Sequence, residues 1–178
     1  MEEVDIEIPD GVDVVLEGMT LTVTGGKGTV TKSFRAPSVH VKVSERVITV
    51  STPSHRKKDV ATMGTIRSHI RNMLCGVETG YEYKLKIYYA HFPMNVSVGE
   101  GRVKIDNFLG EKYPRYAPIV GDTQVKITGD EVTVSGIDKG SVGQTAANLE
   151  QATRIRRKDP RVFQDGIYLF EKDGVRVK

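Results

Sequence analysis

Apolar and polar residues alternate along several short stretches of the chain, the pattern of strands with one buried face and one face in water. The stretches are VDIEI at 4–8, LTVT at 21–24, TVTKSF at 29–34, MNVSV at 94–98 and RVKI at 102–105. No apolar run approaches the roughly 20 residues that a membrane-spanning helix needs. The alternation predicts antiparallel sheets that each place one face in a core.

One arrangement of elements occurs twice along the chain. The segments VHVKVSERVITVS (39–51) and DTQVKITGDEVTVS (122–135) each predict two strands around a short polar turn. A helical spacing of apolar residues follows each pair, and a closing strand follows each helix, at 81–89 and at 165–170. We therefore predict an α+β chain of two tandem similar domains, residues 1–90 and 91–178. Each would be an antiparallel β-sheet with one α-helix packed on it.

Residues with known capping preferences mark the ends of the two predicted helices. Pro53 and Ser54 precede the first apolar series, and Gly76 predicts where that helix stops. Asp138 precedes the second series and suits the N-cap position, because its carboxylate can accept the first free backbone N–H groups.

The residue composition gives no positive sign of catalysis or metal binding. Four histidines and one cysteine are scattered without the spacing of metal ligands, and no nucleophile–base arrangement is visible. The run Gly25–Gly28 lies between two predicted strands, which favours a hairpin turn over a phosphate-binding loop. The acidic N-terminus is unlike a signal peptide, and a lone cysteine forms no internal disulfide. We expect a cytoplasmic protein with no catalytic residue, metal, cofactor, small-molecule substrate or membrane partner.

The positive charge is concentrated after the second predicted helix. The net charge is only +3, but five basic residues face one acid between positions 154 and 161. The corresponding connection in the first domain, 75–80, carries no basic residue. A local basic patch attracts a phosphate backbone, although a solvated charge run is the alternative. The candidate phosphate contacts are Arg154, Arg156, Arg157, Lys158 and Arg161.

A second candidate segment, 105–116, occupies the position equivalent to 24–34 in the first domain. It interleaves basic and aromatic residues, which suits phosphate contacts together with stacking on unpaired bases. The alternative is a solvated hairpin with its aromatic rings in the core. Its candidates are Asn107, Lys112, Tyr113 and Arg115, with Tyr116 beside them, and Gln144 and Asn148 in the second helix are weaker candidates.

Several motifs resemble the archaeal and eukaryotic branch of the ribosomal L-six family. HFPMNV at 91–96 and NFLGEK at 107–112 match that branch, as do MGT at 63–65 and HIRNM at 69–73. The C-terminal signature matches with its spacing, at Gln151, Ile155, Lys158, Arg161, Phe163, Asp165, Gly166, Ile167, Tyr168, Leu169 and Lys172. The resemblance extends over essentially the whole chain.

This resemblance implies two α+β domains of one topology and no catalytic residue. It implies a structural constituent of the large ribosomal subunit that binds large-subunit rRNA, mainly through the second domain. The expected contacts lie near the sarcin–ricin region and the stalk base, with ribosomal proteins as neighbours and translational GTPases docking nearby. The alternative from another class is a protein–protein adaptor that does not bind nucleic acid.

Overall fold

A computed structural model describes residues 2–156, 158–159 and 161–177. The chain forms two compact units, residues 1–80 (unit 1) and 81–178 (unit 2). Unit 1 contains β1 (Glu2–Glu7), β2 (Asp13–Glu17), β3 (Thr20–Gly25), β4 (Gly28–Ser33), β5 (His40–Val43), β6 (Val47–Thr52) and α1 (Lys57–Glu78).

Unit 2 repeats this order of elements and extends it. It contains β7 (Tyr81–Tyr88), β8 (Asn95–Gly99), β9 (Arg102–Asp106), a 3₁₀ turn (Phe108–Gly110), β10 (Arg115–Pro118), β11 (Gln124–Thr128), β12 (Glu131–Gly136), α2 (Lys139–Ala152), β13 (Gly166–Lys172) and β14 (Val175–Arg176).

Each unit has two antiparallel sheets and one helix, so the predicted α+β class is confirmed. Unit 1 has sheets of order β1-β6-β5 and β2-β3-β4, and unit 2 has sheets of order β11-β12-β7-β13-β14 and β10-β9-β8. The strand pairs predicted at 39–51 and 122–135 are β5–β6 and β11–β12, and the glycine run at 25–28 is the tight β3–β4 turn. Strand β2 was not predicted.

The strand at 81–89 does not close the first domain, as its position after α1 had suggested. It is β7, which lies between β12 and β13 in unit 2, with Leu85 opposite Val132 on one side and Leu169 on the other. Its counterpart in unit 1 is β1, which pairs with β6 in the same way. Along the chain, the boundary between the two compact units therefore falls after Gly80, about ten residues before the predicted boundary.

Helix α1 is held by a strip of apolar residues and continues two residues beyond its predicted end. Its buried side chains include Met63, Ile66, Ile70, Met73 and Val77, which share one face because successive members are three or four residues apart. The helix packs on β3 and β6. Gly76 lies inside the last turn and is buried, and the chain leaves the helix at Thr79 and Gly80.

Helix α2 begins as the sequence predicted. The Asp138 carboxylate accepts hydrogen bonds from the N–H groups of Gly140 and Ser141, which have no partner inside the helix. Its buried side chains Val142, Ala146 and Leu149 pack with the apolar faces of the unit 2 sheets, where Leu85, Ile105 and Val132 are fully buried. This core positions the C-terminal end of α2 against β10.

Candidate nucleic-acid interface

Two long loops of unit 2 meet where α2 ends. The basic loop, residues 153–165, connects α2 to β13, and the aromatic loop, residues 107–114, connects β9 to β10. Arg115 joins them, because its Nη1 donates to the carbonyl oxygens of Ala152 at 2.9 Å and Arg154 at 3.2 Å. The end of the helix and the aromatic loop are thereby fixed to each other.

The Arg115 guanidinium makes further contacts within the protein. Its Nε and Nη2 donate to the two carboxylate oxygens of Glu111 at 2.8 and 2.5 Å, and it lies 4.2 Å from the centre of the Phe108 ring. The hydrogen bond from Arg115 lowers the pKa of Glu111. Sequence reasoning offered Arg115 as a phosphate contact, whereas the structure places it as a clamp inside the protein.

The aromatic loop is anchored at its base and exposed at its tip. Phe108 is buried in the unit 2 core, and the Asn107 side chain donates to the Pro93 carbonyl at 2.9 Å. Asn107 and Leu109, on either side of Phe108, both adopt positive φ. Tyr113 is 84% exposed and Lys112 is exposed beside it. Phe108 therefore lies in the core, as the alternative interpretation of this segment expected. Lys112 and Tyr113 at the tip are exposed and can contact a ligand.

The described cations of the basic loop project to the surface. Arg154, Arg156 and Arg161 are exposed, and within the described ranges none of them has a carboxylate at ion-pair distance. Lys158 lies over the Phe163 ring, with its Nζ 4.4 Å from the ring centre. Arg157, which the sequence also offered as a phosphate contact, lies outside the described residues.

The single acidic residue between positions 154 and 161 forms a turn and is not paired with the side chain of Arg154, Arg156 or Arg161. The Asp159 carboxylate accepts from the backbone N–H of Arg161 at 2.9 Å, and its carbonyl accepts from the N–H groups of Val162 and Phe163. The turn accounts for the acidic residue inside the basic stretch. Asp159 therefore does not neutralise the positive charge of the exposed arginines in the same loop.

Both ends of the basic loop are fixed by buried polar side chains. At its start, the hydroxyl of the buried residue Thr153 donates to the Leu149 carbonyl at 3.3 Å and accepts from the Ile167 N–H at 2.9 Å. At its end, Asp165 is 1% exposed and accepts from the N–H groups of Ala90 and His91, both at 3.2 Å.

The Asp165 carboxylate also binds a histidine side chain. Its Oδ1 lies 2.9 Å from Nδ1 of His91, and the His91 ring stacks on Phe163 with 4.7 Å between ring centres. Burial raises the pKa of Asp165, but the hydrogen bonds from His91 and Ala90 outweigh burial and leave the pKa below its usual value. Sequence reasoning gave no contact between His91 and Asp165, since 74 residues separate them and only the fold brings them together.

Gln144 and Asn148 are engaged within the protein. The Gln144 amide donates to Oδ1 of Asn148 at 2.9 Å, and the Asn148 amide donates to the Pro118 carbonyl at 2.9 Å. Gln144 lies about 12 Å along α2 from Ala152, where the helix ends and the basic loop follows. The observed role of this pair is to tie α2 to the end of β10.

Among residues 2–156, 158–159 and 161–177, no group of three or more histidine, cysteine, aspartate or glutamate side chains is arranged to hold a metal ion. Within the same residues, no helix is long and apolar enough to cross a membrane.

Comparison with known proteins identifies the family. The sequence profile of the family Ribosomal protein L6 matches residues 8–80 and 92–166, which correspond to most of unit 1 and most of unit 2. The large ribosomal subunit protein uL6 of Methanobrevibacter smithii is 52% identical over 169 residues, which cover 95% of each chain.

Two further uL6 proteins are similar over nearly their full lengths. The protein of Methanosarcina mazei is 52% identical over 167 residues, 94% of this chain and 95% of its own. The protein of Archaeoglobus fulgidus is 49% identical over 176 residues, 96% of this chain and 90% of its own. These relatives are named as ribosomal proteins and not as enzymes. With both units matched by the family profile and about half of all positions identical to archaeal uL6 proteins, the chain belongs to the ribosomal protein L6 family.

Proposed function

We propose that this protein is a structural constituent of the large ribosomal subunit in the cytoplasm. We propose further that it binds large-subunit rRNA through the corner of unit 2 where the basic loop and the aromatic loop meet at the end of α2. The observation that carries the proposal is the set of exposed, unpaired cations on the basic loop. Arg154, Arg156 and Arg161 have no carboxylate partner among the described residues, and the loop that presents them is anchored at Thr153 and Asp165. An anchored loop loses little conformational entropy when it binds a rigid partner.

The chemistry of the site suits the backbone of folded RNA. Arginine and lysine side chains neutralise phosphates and release the counterions condensed on them. The Lys112 and Tyr113 tip extends the same surface, where a lysine can meet a second strand and a tyrosine can bond a ribose hydroxyl or stack on a base. We therefore expect recognition of RNA shape through phosphate and 2′-hydroxyl contacts.

The family resemblance supports a proposal for the place of binding. We propose that the contacted rRNA is the sarcin–ricin region and the adjoining stalk base. Translational GTPases would then dock nearby, and other ribosomal proteins would be neighbours. Unit 1, whose corresponding corner carries no basic loop, would brace the assembly or contact one of these neighbours.

The proposal is tested by removing three cations from the basic loop in the full chain. The variant Arg154→Ala/Arg156→Ala/Arg161→Ala should bind an rRNA fragment containing the sarcin–ricin region on the order of 100-fold more weakly at about 0.1 M salt. The slope of log affinity against log salt should fall by roughly 2 to 3. Both values follow from a titration of labelled RNA at several salt concentrations.

A matched control removes the same charge from unit 1. Lys42, Arg46 and Lys57 lie outside the core of that unit, and their replacement by alanine should leave the affinity and the salt slope nearly unchanged. If the basic-loop variant and the unit 1 variant lose affinity equally, the positive charge acts without a defined site and the proposal fails. If the unaltered protein does not bind the fragment at all, a protein–protein adaptor becomes the better account.

A further inference from the structure

The end of α2 and strand β10 enclose a cleft of about 380 Å³. That volume lies near the lower end of the roughly 300–1,000 Å³ range of small-molecule sites, and it is far too small for a nucleic-acid helix. The lining residues are Arg115, Tyr116, Gln151, Ala152, Arg154 and Arg156. We call it the Tyr116 cleft.

The electrostatics of the Tyr116 cleft favour an anion despite its position at a helix C-terminus. Free carbonyl oxygens give such an end partial negative charge. Here the Arg115 guanidinium binds the Ala152 and Arg154 carbonyls and pairs with Glu111, so these acceptors are neutralised from within the protein. Arg154 and Arg156 then add positive charge at the opening.

The cleft also presents an aromatic surface. Tyr116 is 46% exposed, although it lies on a strand next to the buried residue Ala117. The Arg102 guanidinium lies 4.5 Å from the centre of the Tyr116 ring, which helps to hold the ring in position. An aromatic ring that is held in place and partly exposed can stack on a flat partner with a small entropic cost.

The third feature of the Tyr116 cleft is a hydrogen-bonding side chain. The Gln151 side chain is exposed and has no hydrogen-bond partner within the part of the chain that the structure describes. An amide offers both a donor and an acceptor, which matches the edge of any nucleobase. Stacking surface, amide and cations thus lie around one opening, and this is the complement of a single nucleotide.

We propose that the Tyr116 cleft binds one unpaired nucleotide of RNA, with its base against the Tyr116 ring and its phosphates at Arg154 and Arg156. This inference rests on the proposed function and adds to it a base-binding subsite. Phosphate contacts alone position a protein on RNA, whereas a stacked unpaired base selects for a bulge or loop.

A single reporter residue tests direct contact with the base. The chain contains no tryptophan, so Tyr116→Trp introduces the only indole into the cleft. Saturation with the sarcin–ricin rRNA fragment should quench the emission of this variant, because a base stacked on the indole is an efficient quencher. The matched control Tyr88→Trp alters a tyrosine of similar exposure, 48%, on β7, and its emission should stay constant. A fully paired RNA duplex should quench neither.

The affinity of Tyr116 variants for the rRNA fragment provides a second test. Replacing Tyr116 by alanine should weaken binding of the fragment roughly 5- to 150-fold, the cost of losing one stacked base. The salt slope should stay unchanged, because tyrosine carries no charge. Tyr116→Phe keeps the ring and should bind like the unaltered protein.

The outcomes separate this inference from the proposed function. Suppose that the RNA binds with the expected salt slope, but the indole emission of Tyr116→Trp is unchanged and the affinity of Tyr116→Ala is unaltered. The nucleotide subsite is then refuted and the phosphate-binding surface stands. If the duplex quenches Tyr116→Trp as strongly as the fragment does, the cleft does not select an unpaired base and the inference is also refuted. Absence of any RNA binding would overturn both.

Discussion

In both units a cation binds carbonyl groups at the C-terminal end of the helix, but the chain around this contact differs between the units. In unit 1 the tight Gly25–Gly28 turn lies on the end of α1, where Lys27 donates its backbone N–H to the Val77 carbonyl and its Nζ to the Thr79 carbonyl. In unit 2 the Arg115 side chain meets the carbonyls at the end of α2. Each helix C-terminus is thus supplied with positive charge by the neighbouring hairpin.

The difference lies in the length of chain on either side of this contact. Unit 1 has a tight turn between β3 and β4 and leaves α1 within two residues. Unit 2 has the aromatic loop between β9 and β10 and the basic loop after α2. Since Arg115 already binds the helix end, the exposed arginines Arg154, Arg156 and Arg161 of the basic loop are left for a ligand. Extension of two loops at one corner therefore gives unit 2 a surface that unit 1 lacks.

A second difference explains how the basic loop is held. In unit 2 the chain returns from the loop as β13, which pairs with β7 on the side away from β12. In unit 1, among the strands that the structure describes, β1 pairs with β6 alone. The added strand provides Ile167, whose N–H binds Thr153, and it follows directly after Asp165. Both anchors of the loop thus depend on β13.

The largest effect on stability is expected at Asp165. Asp165→Ala removes a buried acceptor of three hydrogen bonds and leaves the N–H groups of Ala90 and His91 without it. The free energy of unfolding should fall by roughly 3 kcal/mol, and amide exchange should accelerate across the basic loop. Urea titration and hydrogen exchange of the full chain measure both. Unaltered exchange in the loop would show that Asp165 does not anchor it.

Lowering the pH should reproduce part of the effect of Asp165→Ala on the basic loop. The pKa of Asp165 in the folded chain is lowered, so its contribution is complete above the unfolded pKa of about 4 and is lost as the pH falls through the lowered value. Loop exchange should therefore accelerate in that acidic window in the unaltered protein. Asp165→Asn should lack the transition, and an identical transition in that variant would assign it to another group.

The two helix-end cations should differ in their contribution to stability. Arg115→Ala removes the hydrogen bonds to Glu111 and to two carbonyls, of which the bond to the Ala152 carbonyl is partly buried, and we expect a loss of about 2 kcal/mol. Lys27 is exposed, and Lys27→Ala should cost only about 0.5 kcal/mol. Equal losses in urea titrations would mean that the two corners are energetically alike.

A smaller effect is expected in the tight turn of unit 1. A Cβ added at Gly25 would lie 2.8 Å from Cγ2 of Val77, whereas one added at Gly26 would meet nothing within 4 Å. Gly25→Ala should therefore destabilise the chain by about 1 kcal/mol and leave RNA affinity unchanged. Gly26→Ala is the matched control, and a similar loss in both variants would contradict the close approach of the turn to α1.

The sequence predicted those features that depend on local patterns. Alternation located the paired strands at 39–51 and 122–135, and Asp138 marked the start of α2, because period and capping are properties of neighbouring residues. Strand β10 was not separated from its loop, since Arg115–Pro118 lacks β-branched residues and ends in proline. The strand β7 was assigned to the wrong half, because its partners β12 and β13 lie far along the chain.

The candidate site was predicted less completely, for the same physical reason. Exposure of Arg154, Arg156 and Tyr113 follows from their place in polar loops. A positive charge does not reveal its partner, so the clamp formed by Arg115 could not be told from a phosphate contact. The anchors at Asp165 and Thr153 bind groups that only tertiary structure brings near.

Chemical protection of arginines tests the central contrast between the units most directly. Arg154, Arg156 and Arg161 are exposed in unit 2, as are Arg46 and Arg56 in unit 1, so all should react with an arginine-selective dicarbonyl in the free chain. Bound to the rRNA fragment, the three unit 2 arginines should become protected while Arg46 and Arg56 keep their reactivity. Protection of the unit 1 pair, with Arg154 and Arg156 still reactive, would contradict the assignment of RNA binding to the unit 2 corner.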